Sequence, residues 1–206
     1  MNNVVRLRAY VDPASLPTLV LVDMQQERVV SSRVLAIPDA IDAIANCRAA
    51  LAHARTAGFP VAFVRWVSGS PFSSATSRSA WIEGFEPKRM DMVFDRNRPS
   101  CYASSAFAEV MRNNTGDLVL AGFAGEAACL ATALDAFHRG HEFTFLADAS
   151  MSHALDEIPA REVHRTVTKI IGSYGDVVKT RTWIAASSYG RSRGKRNESE
   201  HGRTAR

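Results

Sequence analysis

Six short apolar runs recur along the chain with helix-like segments between them, and this alternation constrains the fold more than any other feature. The runs are TLVLVD (18–23), PVAFVRW (60–66), MDMVF (90–94), DLVLAG (117–122), EFTFLAD (142–148) and GDVVKT (175–180). They are rich in Val, Leu and Phe, as strands buried on both faces are. After Pro38, the residues Ile37, Ile41, Ile44 and Leu51 mark one face of a helix that Gly58 and Pro60 end. Further helices are predicted over 104–113, over 126–139 before Gly140, and over 159–171 before Gly172. Strand, helix, strand in this repetition means right-handed crossovers and a parallel sheet covered on both faces, an α/β chain built as a three-layer αβα sandwich.

A length of 206 residues with 46% hydrophobic content suits one domain with a sizeable core. That domain is expected over residues 1–186. From Ser187 the chain reads SSYGRSRGKRNESEHGRTAR, with six Arg or Lys against two Glu, and is expected to be a disordered tail. Without it the formal net charge of +4 disappears, since 19 basic residues then face 19 acidic ones. The basicity therefore belongs to a solvated end, and no specific nucleic-acid partner is expected. No apolar stretch approaches the length of about 20 residues that spans a bilayer, and the start lacks the apolar run of a signal peptide. Cys47, Cys101 and Cys129 are odd in number, widely spaced and free of any CxxC pattern, as thiols of a reducing compartment are. A cytoplasmic protein without membrane association is the expectation.

In sheets of this kind, ligands bind beyond the carboxyl ends of the strands where the winding reverses. With strand order 3-2-1-4-5-6, Asp23 at the end of the first strand and the GFAGEAAC turn after the fourth face one crevice, and Asp148 ends the fifth. A helix beginning near Glu126 aims free amides into the same space, which favours a developing anion. Gln25, Trp66, Phe123, Gly125 and Arg98 are the candidate substrate contacts around it, with Trp81 a further wall. His138 and His141 bracket Gly140 at a helix end, where imidazoles meet terminal carbonyls, so no metal site and no cofactor is expected.

The stretches LVLVDMQQE, DMVFDR (91–96), SAF (105–107), GFAGEAACLATALDAFHRG and FLADAS resemble, in order and spacing, the isochorismatase-like (cysteine hydrolase) superfamily. The likeness runs over most of residues 15–183. It implies a Rossmann-like isochorismatase fold with a six-stranded parallel sheet, commonly in homo-oligomers, and hydrolysis of small amides, ureas or an enol ether. In the amidohydrolase members the catalytic set is an aspartate after strand one, a lysine after strand three and a cysteine at the start of the helix after strand four. Asp23 matches the first. Arg96 falls at the second, with Arg98 a possible substitute and Lys88 a poor fit. Counting forward from Gly122 or back from Thr132, Ala133, Asp135 and Ala136 puts the third at Ala128, so Cys129 lies one residue late. One residue turns a helical side chain by about 100°. The apolar stripe Ala127, Leu130, Ala131 and Leu134 also places Cys129 on the opposite, small-residue side, with Thr132, Ala133 and Ala136. The true isochorismatases have glycine followed by cysteine at this point and need no covalent intermediate.

Three functions are compatible with these residues. One is a hydrolase of a small, anionic molecule, with Asp23 as general acid/base and water as nucleophile. The second is a covalent amidohydrolase using Cys129. The third is an inactive family member that keeps the crevice as a binding site. An arginine at position 96 stays charged and offers a donor fork, so it suits anion binding or pairing with Asp23 rather than proton transfer. Cys101, in the RPSCYAS insertion, is a further thiol able to reach the crevice from a loop.

Overall fold

The computed structural model describes residues 16–29, 36–37, 40–67, 80–113 and 117–188. Its centre is a six-stranded, all-parallel sheet of β1 (Thr18–Val22), β2 (Val61–Trp66), β3 (Met92–Arg96), β4 (Leu118–Gly122), β5 (Phe143–Ser150) and β6 (Asp176–Val178). The order is β3-β2-β1-β4-β5-β6, so the winding reverses between β1 and β4. Helices α1 (Ala40–Ala57), α2 (Ser105–Asn113), α3 (Leu130–His138) and α4 (Ala160–Ile171) connect the strands, and a π-helical turn, Gly125–Cys129, leads into α3. A last helix, α5, covers 180–188.

Period-two alternation along the strands divides the core in two. Leu19, Leu21, Phe63, Val119 and Ala121 point to the side of α1 and Trp183 of α5. Val20, Val22, Ala62, Val64, Leu118 and Leu120 point to the side of α2, α3 and α4. The sheet is thus covered on both faces, which explains why its strands read as continuous apolar runs.

Four local features differ from the sequence expectations. In α1 the buried face is Ala40, Ala43, Cys47, Ala50, Leu51, Ala54 and Ala57, while Ile41 is 80% exposed. The spacing is helical, but small residues carry it because α1 lies close to the sheet, so the bulkier isoleucines misplace the face. Pro38 lies outside the described residues. The third strand begins at Met92 and ends at Arg96, leaving Met90 87% exposed. In α3 the small residues Thr132, Ala133 and Ala136 pack with Cys129 against the sheet, and Leu130, Ala131 and Leu134 are only half-buried. The larger apolar stripe therefore faces outward. Finally, α5 runs through the position expected to open the tail. Ser187 is fully buried, its hydroxyl donating to Trp183 O at 2.8 Å and paired with His53 Nε2 at 2.7 Å. Residues 189–206 lie outside the described part of the chain.

Among the described residues no helix is long and apolar enough to cross a membrane.

Candidate active site

The strand reversal brings the ends of β1 and β4 side by side, with Val22 in register with Gly122. Gly122 has φ +114, and a Cβ there would overlap Val22 O, so only glycine fits this approach. Beyond Val22 the backbone turns through Asp23, which adopts φ +48. Its N–H donates to Val64 O at 2.9 Å and its carbonyl accepts from Gln25 N at 2.7 Å. These bonds aim a fully buried carboxylate out of the strand end.

Two guanidinium groups meet that carboxylate on the same oxygen. Arg28 Nη2 donates to Asp23 Oδ2 at 2.6 Å, and Arg96 Nη2 donates to it at 2.7 Å. Asp23 Oδ1 is buried without a hydrogen-bond partner, as are the Nε atoms of both arginines. Arg96 is the last residue of β3 and reaches back across β2, whose Trp66 is its register partner. Its Nη1 donates to Arg98 O at 2.7 Å, and its guanidinium lies 5.1 Å from the centre of the Trp66 ring. Arg96 is therefore the side chain on Asp23, while Arg98 contributes its carbonyl and points its own side chain to the surface. Lys88 is exposed before β3. Arg28, from the single 3-10 turn Gln26–Arg28, is a site residue that sequence reasoning missed. Nothing in QQER marks its charged residues as turned inward, yet Glu27 and Arg28 are both buried.

Cys129 lies in different surroundings. It is fully buried, its Sγ donating to Gly122 O at 3.4 Å and accepting from Ser150 Oγ at 3.8 Å. Burial pushes this thiol far up from its ordinary value of 9.0, against an opposing effect of the Ser150 hydrogen bond. Ala128, 2% exposed, joins the core cluster that holds Cys101, Tyr102 and Phe107. Cys101 is also buried, at the start of a one-turn 3-10 helix, with its N–H donating to Thr132 Oγ1 at 3.0 Å. Burial pushes its thiol up to about 12, against weaker lowering by the Thr132 hydrogen bond and the Arg96 charge.

The remaining candidates divide between support and core. Gln25 closes the end of β2, its Nε2 donating to Trp66 O at 3.3 Å and its Oε1 accepting from Trp66 N at 3.1 Å. It also pairs with Trp81 as an isolated bridge. Its amide is thereby spent on backbone rather than left for a ligand. Phe123 is fully buried in the α1-side core, which makes it packing rather than pocket wall. The Phe123–Ala124 peptide is cis. Gly125 donates its N–H to Met151 O at 2.8 Å, and a Cβ on it would crowd Ser152 Oγ and His164 Nδ1. Next to it, Glu126 Oε1 pairs with His153 Nδ1 at 2.7 Å. Burial alone would raise the Glu126 carboxyl, but the bonds from His153 and from backbone amides outweigh it and hold the group below its ordinary value.

His141 is tied to Tyr102 Oη at 2.6 Å and His138 is exposed at the last turn of α3. No group of three or more metal-binding side chains occurs among the described residues. A cavity of about 310 Å³, lined by Asp117, Phe137, His141, Phe143, Tyr174 and Asp176 among others, lies at the amino ends of β4–β6. That is the opposite end of the sheet from Asp23, so this cavity and the buried carboxylate do not coincide.

Three solved structures share the architecture. A protein from Burkholderia xenovorans LB400 described as an isochorismatase is 26% identical, covers 86% of this chain and 89% of its own, and gives a TM-score of 0.76. An isochorismatase from Pseudomonas putida KT2440 is 25% identical over 83% of this chain and 92% of its own, with a TM-score of 0.75. A cysteine hydrolase from Pseudomonas syringae pv. phaseolicola 1448A has the same fold at 20% identity, over 92% and 97%, with a TM-score of 0.78. No protein of curated function matches the sequence. The isochorismatase domain model matches residues 17–172, a span that takes in β1, the Asp23 turn, Arg96 and the Gly122–Cys129 turn. With the sheet order, the strand-end aspartate and this match in agreement, the chain belongs to the isochorismatase family.

Proposed function

We propose that the protein is a hydrolase of a small, anionic molecule in which Asp23 is the general acid/base and water the nucleophile, with no covalent cysteine intermediate. The observation that carries this is the contrast between two buried groups. Asp23 Oδ2 is pinned by two arginines while Oδ1 is unpartnered, whereas the Cys129 sulfur is engaged with Gly122 O and Ser150. Oδ1 is the atom that takes a proton from the attacking water. The same oxygen then returns it to the leaving group, so the carboxylate ends each cycle as it began. Arg28 and Arg96 hold Oδ2 still during both transfers and, being permanently charged, exchange no proton themselves. Ala128 at the nucleophile position carries no group able to form a covalent intermediate.

Three free, buried thiols agree with a reducing, cytoplasmic setting. The half-buried outward stripe of Leu130, Ala131 and Leu134, with Phe137 48% exposed beside it, supports assembly into a homo-oligomer. The decisive test is turnover of paired variants on one substrate found by screening small amides and enol ethers. Asp23→Asn is expected to lose activity by a factor of about 10² to 10⁴, and Cys129→Ala to retain it. Full activity in Asp23→Asn contradicts the proposal.

A further inference from the structure

We propose that Arg28 sets the charge selectivity of the site, by receiving a carboxylate carried by the substrate. This rests on the reading of the Asp23 crevice as the reaction site. The hydrogen-bonded trio of Asp23, Arg28 and Arg96 holds two positive charges against one negative; the neighbouring Glu27 is buried too, but no ion pair joins it to either guanidinium among the described residues. A buried excess positive charge calls for an anion. The trio also leaves three buried polar atoms unpartnered, the Nε–H of each arginine and Asp23 Oδ1. Two are donors of cationic groups, the type that is costliest to leave unpaired and that a carboxylate satisfies best.

The two arginines are not equivalent. Arg96 is fixed at three places, by Asp23, by Arg98 O and by the face of Trp66, and its side chain is 1% exposed. Among the described residues the Arg28 guanidinium hydrogen-bonds Asp23 alone; Arg28 arises from the short 3-10 turn and its side chain is 11% exposed. Arg96 thus serves as the standing brace of Asp23, and Arg28 is the cation with a free edge for an incoming ligand. Its planar fork matches a carboxylate bidentately, which an ammonium or an amide cannot do. A substrate bearing a carboxylate neutralises the trio and fills its empty donors, whereas an uncharged analogue does neither. The substrate class is therefore small molecules with a carboxylate close to the bond that is hydrolysed.

Calorimetric titration with two matched pairs, succinamate against succinamide and benzoate against benzamide, tests this without knowledge of the natural substrate. In the native protein at least one carboxylate is expected to bind about ten- to a hundredfold more tightly than its amide. Arg28→Gln should abolish that preference, with the loss falling on the carboxylate far more than on its amide. Arg28→Lys keeps the charge without the fork, so carboxylate affinity should fall severalfold while the preference persists. Should Arg28→Gln melt too low to titrate, the lysine variant decides, and an unchanged carboxylate affinity there overturns the proposal. Equal binding of acid and amide by the native protein, or a preference that survives Arg28→Gln, overturns it as well. Asp23→Asn separates the two readings: undiminished turnover there removes the Asp23 mechanism, and the effect of Arg28→Gln on carboxylate binding stands or falls independently.

Discussion

Replacing Asp23 by Asn keeps the size of the side chain while removing its charge and its capacity to take up a proton at Oδ1. Both arginines would then be buried against a neutral group, so the variant is expected to lose stability as well as activity, and its melting temperature should be read beside its rate. Cys129 is tested by its reactivity. With its sulfur fully buried and burial holding the thiol far above 9.0, it remains protonated at pH values where an exposed cysteine ionises. Iodoacetamide at pH 8.5 to 9 is expected to leave Cys129 unmodified in the folded protein and to alkylate it after unfolding, as peptide mass mapping would show. Rapid modification of the folded protein would mean that the sulfur has access to the crevice. At this scale the sequence was legible where spacing carries information: Asp23 stands at a strand end, whereas Ala128 and Cys129, which the count from Gly122 sets apart, are both buried in the same core cluster. Arg28 was not legible, because its role depends on a 3-10 turn that folds a charged side chain back onto Asp23, and charge alone predicts an exposed residue.

The turn between β4 and α3 is the element on which the site depends most. Gly122→Ala would place a methyl group against the backbone of Val22 at φ +114, so the variant combines overlap with a backbone state that favours glycine. A loss of about 3 kcal/mol or more is expected in denaturant unfolding. The same turn carries the Glu126–His153 pair, which makes a pH prediction. Because the folded-state Glu126 carboxyl lies below its ordinary value of 4.5, its stabilising contribution is fully present above that value. It is lost as the pH falls below 4.5 through the folded value. The stability difference between the native protein and Glu126→Gln should therefore be largest above pH 4.5 and shrink in more acid solution; a difference that grows on acidification would reverse the assignment. Elements were legible to unequal degrees. Strands buried on both faces announce themselves as apolar runs. By contrast, α1 and α5 hide their buried faces in small or polar residues: alanines in the first, and Thr180, Trp183 and Ser187 at helical spacing in the second.

In the whole molecule the Asp23 carboxylate and the cavity beside the amino ends of β4–β6 lie at opposite ends of one sheet. Right-handed crossovers limit the order of six strands without fixing it, and β3-β2-β1-β4-β5-β6 is the order that makes β1 and β4 the neighbours flanking the site. What sequence pattern does not convey is charge arrangement across strands: Arg96 is two strands along in the chain from β1 yet contacts Asp23 over β2. In the proposed mechanism the chemistry is therefore set by which side chains reach this one carboxylate. The most direct test is the turnover of Cys129→Ala relative to the native protein on a single substrate, measured well below both melting temperatures. Catalysis by Asp23 and water predicts rates that agree within a few-fold, whereas a fall of about a hundredfold or more in a folded variant would establish that the sulfur takes part and contradict the proposed mechanism.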